Sequence, residues 1–408
     1  MELAKQKLPR LDSLDLLRGI AILGIFLMNT QDMSMPVLAY YNPLTYDAAA
    51  YINPANYTGI SSLNYAVFIV IHVIADLKFI TVFSTLFGAG ILLQGERLLA
   101  RGVSPVRVHY LRMVVLLVFG LIHAHVFWYG DVLAEYAMCG MLLFPFRKLR
   151  PPILIAAGIG MLSVATLYHY ADTHNLNIGI VHWLRNGTAR LTSGVTGNDF
   201  EFWAYTHSWR QQMQTRFWVA LDNQTFSFLD WTLWRCGGSM LVGMALLKLR
   251  FFHGEWPRRA YPMIAAVCIP AGWAVTVLGV LHNQALGWFG GDYPDFAGME
   301  FNYWGSLIAA FGYIALGVYF SLRFAARPLR AIGRTALSNY ILQTLIGTTI
   351  FYGHGFGYFG WMSRAQLVWI VLAVWTFQLI ASTLWTRRFQ QGPLEWIWHR
   401  TVYGILGA

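Results

Sequence analysis

The sequence predicts an all-α, polytopic membrane bundle of about ten transmembrane helices, with one broken, partly interfacial helix and one large outer loop. Three observations predict it. Hydrophobic residues make up 57% of the 408 positions and charged residues only 12%, half the share usual in soluble domains. Apolar runs of about 20 residues, the length that spans a bilayer, recur along the chain. The basic residues fall in alternate connections instead of being spread evenly. Composition excludes an ordinary soluble enzyme, a disordered chain and a disulfide scaffold. Residues 1–408 read as a single transmembrane domain.

The apolar runs fall at roughly 14–31, 64–95, 108–128, 132–147, 152–170, 231–249, 260–281, 301–322, 335–352 and 366–386. The first contains Asp15 and Arg18 and leads into Asn29-Thr30-Gln31-Asp32, not into a small-residue cleavage site. It is expected to remain as the first membrane helix. The second run is too long for one straight span and contains Asp76-Leu77-Lys78. A shallow helix over about 62–76, a break, and a true span to about 95 are expected there. The fourth run is short.

With the N-terminus assigned to the cytoplasm and sides alternated, twenty-two of the 29 Lys and Arg lie on inner segments. Five lie on outer ones: Arg185, Arg190, Arg210, Arg216 and Arg364. Positive charge holds loops on the cytoplasmic side, so both termini are expected on that side, with an even number of spans. The net charge of +10 then faces anionic inner-leaflet lipid, and no nucleic acid is called for. The long connections, 32–63 and 171–230, fall outside. Connections as long as the second are usually functional, as a lid or a binding surface. The tail, 387–408, is amphipathic and reads as a cytoplasmic interfacial segment.

Polar groups at membrane depth are costly and usually face a cavity or a partner. Asp15, Arg18 and Asn29 share one stripe of the first helix, with Asn29 about 16 Å further along the axis than Arg18. In the third run, Arg112 and His123 face the same way, which puts His123 at the depth of Asn29. Asp131, in the turn that follows, is placed to orient His123 as a general base. His125 points to the opposite face, so a helical His–His metal pair is not expected. The three cysteines, Cys139, Cys236 and Cys268, form no CxxC pair and read as apolar core residues; no metal site is expected. In the ninth run Thr335, Asn339 and Gln343 form one polar face, readable as interhelical hydrogen bonding or as the lining of an anionic ligand's path beside Arg334. The segment Gly355-Phe-Gly357-Tyr-Phe-Gly360 matches a dinucleotide fingerprint by letter only, since no strand precedes it.

Five spaced motifs together resemble one family. They are Leu14-Asp15-Leu-Leu-Arg18-Gly19 through Asn29, Lys78-Phe-Ile-Thr-Val-Phe83 through Gly90, Gly120-Leu-Ile-His123 with Gly130-Asp131, Gly333-Arg334 through Gln343, and Gly392-Pro393-Leu-Glu395-Trp396. The set is similar to the YeiB-like bacterial inner-membrane proteins, over residues 11–403. That resemblance implies kinship with the transmembrane acyltransferases, including the acyltransferase-3 sugar-acylating enzymes and heparan-α-glucosaminide N-acetyltransferase. It implies an active-site role for Asn29. In the last enzyme an active-site His follows that Asn within a dozen residues. Here none does, and His123 is the replacement.

The functional expectation is an acyltransferase with acyl-CoA, acetyl-CoA first among them, as a non-covalently bound donor. Asp15, Arg18, Arg112, Arg334, Asn339 and Gln343 would hold the donor, and His123, Asn29 and Asp131 would carry the chemistry. The acceptor would be a small molecule, a glycan or an outer-leaflet lipid headgroup. Membrane lipids surround the chain, and homo-oligomerisation is left open. The alternatives are a carrier or flippase for a small amphiphile, and a non-catalytic lipid or quinone binder.

Overall fold

The computed structural model describes residues 11–44, 62–288 and 296–406. Every regular element among them is helical. Lys5, Lys7, Arg10 and most of the 32–63 connection lie outside the described residues.

Helix α1 (Asp12–Ser34) is followed by the short α2 (Val37–Tyr41), then α3 (Leu63–Ile74) and α4 (Lys78–Leu99). The break between α3 and α4 falls at Leu77, whose φ of 60° is left-handed. The chain there sets Asp76 and Lys78 inward. Lys78 Nζ donates to the His72 carbonyl at 2.9 Å and to Asn302 Oδ1 at 2.7 Å. Asp76 pairs with His72 at 3.0 Å and accepts from Asn302 Nδ2 at 2.8 Å. Buried charges survive in apolar surroundings only with such partners.

Next come α5 (Pro105–Ile122), a π-helical turn over His123–Phe127, α6 (Leu133–Leu143) and α7 (Pro151–Thr173). The 171–230 segment is not an open loop. It folds into α8 (Gly179–Thr192), α9 (Asn198–Thr206) and α10 (Trp209–Asn223), and ends at a second π turn over Phe228–Thr232. After it come α11 (Leu233–Lys248), α12 (Ala260–Ala285), α13 (Phe296–Arg323), α14 (Arg327–Arg334), α15 (Ala336–Phe351), α16 (Arg364–Arg388) and α17 (Pro393–Leu406).

Among the described residues, seven helical segments, 12–34, 63–99, 105–127, 151–173, 260–285, 296–323 and 364–388, are long and apolar enough to cross a membrane. That is the build of a multi-pass membrane protein. The other three expected spans correspond to α6, α11 and α15, with 11, 16 and 16 residues; α11 continues directly from the π turn over Phe228–Thr232. Seven of the ten expected spans are thus supported by length and composition among the described residues.

The central element is α1. It packs on α4, α13, α14, α15 and α16. Its contact with α14 is a backbone crossing: a Cβ on Gly333 would lie 1.8 Å from the Asp15 carbonyl oxygen, and one on Gly19 would lie 2.0 Å from that of Leu329. Only glycine at both positions lets the two helices meet. Helix α11 sits between α4 and α7, and α12 pairs along its length with α13. The tail helix α17 is docked, not free. Val402 is fully buried, and the Trp398 indole donates to the Arg112 carbonyl at 3.0 Å.

Candidate functional site

Two features meet inside the bundle. The first is a cavity of about 460 Å³ between α1, α4, α5, α6, α14, α15 and α17. Its open end is lined by Arg18, Arg97, Arg101, Arg112 and Arg334, with Glu395, Trp398 and Tyr403 from the tail. Its deeper wall is apolar and aromatic, with Ile22, Ile25, Phe83, Phe87, Leu116, Val132 and Tyr340. The lining thus grades from five guanidiniums to hydrocarbon, which complements a ligand with an anionic head and an apolar arm.

Local structure holds these charges in place. Arg112 stacks over the Trp398 ring at 4.1 Å. Arg334 donates to the Gln390 carbonyl at 2.8 Å, which ties the base of α15 to the start of the tail. Glu395 caps α15: its Oε1 accepts from the Leu337 and Ser338 amides at 2.7 and 3.2 Å, and its Oε2 from the Ser338 hydroxyl. These amides are the orphan donors of a helix N-terminus. Burial pushes the Glu395 carboxyl above its ordinary range, against the pull of those hydrogen bonds.

The second feature lies beyond the cavity's deep end. His123 Nδ1 is 2.7 Å from Asp131 Oδ1, and His123 Nε2 is 2.9 Å from the Thr344 hydroxyl. Asp131 Oδ2 accepts from the Ala134 amide at 2.7 Å, so the carboxylate is itself fixed. All three side chains are buried. A carboxylate can only accept, so Nδ1 carries the proton, and in the neutral imidazole Nε2 then accepts from the Thr344 O–H. The result is a carboxylate–imidazole–hydroxyl chain with the polarity of a nucleophile, its base and an orienting acid. Tyr340 links it to the cavity. Its ring lines the cavity and lies 5.1 Å from the imidazole, and its hydroxyl donates to the Gly130 carbonyl at 3.2 Å.

The local fold produces this arrangement by close approach. A Cβ on Gly120 would lie 2.2 Å from the Ala134 nitrogen, so α5 and the start of α6 touch through backbone. His123 opens the π turn that ends α5, and Asp131 lies in the connection to α6.

Of the residues singled out from sequence, Arg18, Arg112 and Arg334 are brought to one cavity. His123 and Asp131 are brought together beyond it. The rest are not. Asn29 is half-buried near the end of α1 and holds neither imidazole nitrogen, since Asp131 and Thr344 do. Asp15 pairs with Arg18 at 3.6 Å and does not line the cavity. Asn339 and Gln343 face α16 instead of the cavity. Asn339 Nδ2 donates to Thr335 Oγ1 at 2.7 Å and to Ser382 Oγ at 2.9 Å, and Gln343 Nε2 donates to Gln378 Oε1 at 2.9 Å. Buried amides are usually paired; α16 supplies acceptors for both amide nitrogens, while Gln343 Oε1 is left without a partner. His125 bonds Gln224 instead, at 3.1 Å. No cluster of three or more metal-ligating residues occurs among the described residues.

Sequence reasoning missed Thr344, Arg97 and Arg101. The two arginines reach the cavity because α4 runs to Leu99, a turn past the expected end. Thr344 adjoins Gln343 in an otherwise apolar stretch and carries no local signal.

At the opposite end of the bundle, α9 and α10 cover a second polar region. Tyr129 donates to Asp32 at 3.2 Å. The Tyr205 and Tyr352 hydroxyls are buried without a hydrogen-bond partner, and the Trp128 indole faces Asp32. Trp128 lies 6.3 Å from the His123 ring. The histidine is thus flanked by the cavity's aromatic wall on one side and by this cluster on the other.

Comparison with known proteins places the chain beside uncharacterized relatives and does not name a function. Residues 246–405 match the family model described as "Protein of unknown function (DUF418)". The chain is 28% identical to the uncharacterized protein YeiB of Escherichia coli (strain K12), over 97% of each chain. It is 26% identical to the uncharacterized protein YxaH of Bacillus subtilis (strain 168), over 97% of this chain and 94% of the relative. These likenesses support a YeiB-like family.

Proposed function

We propose that this YeiB-like membrane chain is an acyltransferase that moves an acyl group from acyl-CoA to an acceptor on the other face of a bacterial inner membrane. The observation that carries the reading is the buried Asp131–His123–Thr344 chain just beyond the deep end of an arginine-mouthed cavity. The termini are assigned to the cytoplasm because the basic connections lie on their side. The arginine mouth then opens to cytoplasmic CoA.

Each part has a chemical task. Arg18, Arg97, Arg101, Arg112 and Arg334 neutralise the donor's phosphates, and guanidiniums suit phosphate geometry. The apolar wall takes the pantetheine arm and the acyl chain. His123 accepts the proton of the attacking group through Nε2, while Asp131 holds its tautomer and stabilises the imidazolium that forms. Asn29 keeps its assignment as the donor to the developing oxyanion, a role that requires it to turn toward the bound thioester. The acceptor, a small hydroxyl- or amine-bearing molecule, glycan or headgroup, enters from the side of Asp32, Tyr205 and Tyr352. The buried polar atoms without partners there suit a polar ligand.

A carrier for an anionic amphiphile would use the same graded cavity. It has no need of a fixed carboxylate–imidazole–hydroxyl chain. Purified protein given acetyl-CoA and longer acyl-CoAs should release free thiol, and His123→Ala should slow that release about 10²–10⁴-fold. A parent protein that binds none of these donors and releases no thiol would remove the reading.

A further inference from the structure

Resting on the acyl-transfer reading, we infer that Thr344 is the nucleophile that carries the acyl group between donor and acceptor. Both imidazole nitrogens of His123 are engaged, and the side chain is 1% exposed. The only hydroxyl that the described structure places on Nε2 is that of Thr344, at 2.9 Å. The first proton this base removes is therefore that one. An acceptor hydroxyl could reach Nε2 only after Thr344 had left it.

The geometry of α15 separates this hydroxyl from its neighbours. A threonine in an apolar helix ordinarily donates to the carbonyl four residues back. Thr348 does so at 2.9 Å, Thr349 at 2.7 Å and Thr335 at 3.0 Å. Thr344 lies 3.4 Å from the Tyr340 carbonyl, beyond the normal range for such a bond. Its hydroxyl has been drawn off the helix and onto the imidazole. Thr344 is also one turn along from Tyr340, which lines the cavity. Thr344 is itself fully buried, so the thioester reaches its hydroxyl only when that part of the wall yields.

The steps balance. Thr344 Oγ bonds to the thioester carbonyl carbon as its proton passes to Nε2. Collapse breaks the C–S bond, and the departing sulfur takes the proton from Nε2, leaving free CoA and an O-acyl threonine. The acceptor O–H or N–H then attacks the ester carbonyl and gives its proton to Nε2. The C–O bond to Thr344 breaks, and the threonine oxygen recovers that proton. Through both steps Nδ1–H remains on Asp131.

The experiment traps the intermediate in the full-length protein. The protein in detergent is mixed with acetyl-CoA without acceptor, quenched in acid, digested and analysed by mass spectrometry. The peptide spanning 336–351 should gain one acetyl group, localised to Thr344 by fragmentation. His123→Ala should abolish the label. Thr344→Ser should retain label and transfer, and the near-isosteric Thr344→Val should lose both, by about 10²-fold or more. The inference is overturned if acetyl-CoA is consumed while no label forms, if the label sits on His123, or if Thr344→Val transfers at the parental rate. Label localisation in the parent needs no variant, so a misfolded variant leaves the test decisive. A parent that consumes no acyl-CoA instead removes the acyltransferase reading, and this inference with it.

Discussion

Gly120 and Ala134 touch backbone to backbone. A Cβ on Gly120 would come within 2.2 Å of the Ala134 nitrogen, and that same amide donates to Asp131 at 2.7 Å. The helix contact and the orientation of the Asp131 carboxylate are one arrangement. The alignment of His123 is therefore set two contacts away, by a residue with no side chain.

Gly120→Ala is expected to push α6 from α5, cost about 1–3 kcal/mol of stability as an overpacked contact does, and reduce turnover by misaligning Asp131. Gly160 is the control. It lies within α7, and a Cβ there would meet nothing within 4 Å. Gly160→Ala should be neutral or stabilising, since alanine outranks glycine in a helix interior. Thermal unfolding of both variants in the same detergent checks this.

The arginine mouth predicts salt-sensitive donor binding. Arg112→Ala and Arg334→Ala should each weaken CoA, measured by calorimetry, about 5-fold or more, as loss of a charge contact worth roughly 1 kcal/mol implies. The parent's own affinity should fall with added salt as the phosphates are screened. Trp398→Ala, which removes the ring beneath Arg112, should behave like a milder Arg112→Ala.

Glu201 predicts a pH dependence of stability. It is buried, and its two oxygens accept from the Val37 and Gly197 amides at 2.9 and 3.1 Å. Those bonds favour the charged form, but burial outweighs them and raises its pKa from 4.5 to about 7. A raised folded-state value means that the folded form holds the proton more tightly than the unfolded one. The contribution is full below about pH 4.5 and is lost as pH rises through about 7. Melting temperatures should fall across that window, and Glu201→Gln should flatten the fall.

Topology is tested by side-specific labelling. A cysteine at the exposed Ser193 should react with an impermeant reagent in intact spheroplasts, and one at the exposed Arg327 only after lysis. The reverse pattern would turn the assignment over, because the arginine mouth would then face away from CoA.

How much of this was legible in the sequence depended on whether a signal was local. The break at Leu77 was legible because two charges flank one residue inside an apolar run. The convergence of Arg18, Arg112 and Arg334 followed from charges at similar depth on spans of the same bundle. The spacing of Thr335, Asn339 and Gln343 correctly showed a shared face but not what it meets. That was decided by Gln378 and Ser382 on α16, which no periodicity in α15 reports. Thr344 meets His123 across 221 positions of chain, so only the packed bundle reveals it. The helices of the 171–230 segment were read as loop because their apolar residues form no run long enough to span a bilayer and are interspersed with polar ones.

The most direct test is transfer across a sealed membrane. Protein reconstituted in liposomes in one orientation receives acetyl-CoA only on the side of the arginine mouth and glucosamine, as a probe amine, only on the other. The account predicts N-acetylated glucosamine on the far side, free CoA retained on the near side, and loss of both products in His123→Ala. Intact acetyl-CoA arriving with the glucosamine, or no acetylated product at any donor concentration that saturates binding, would contradict it.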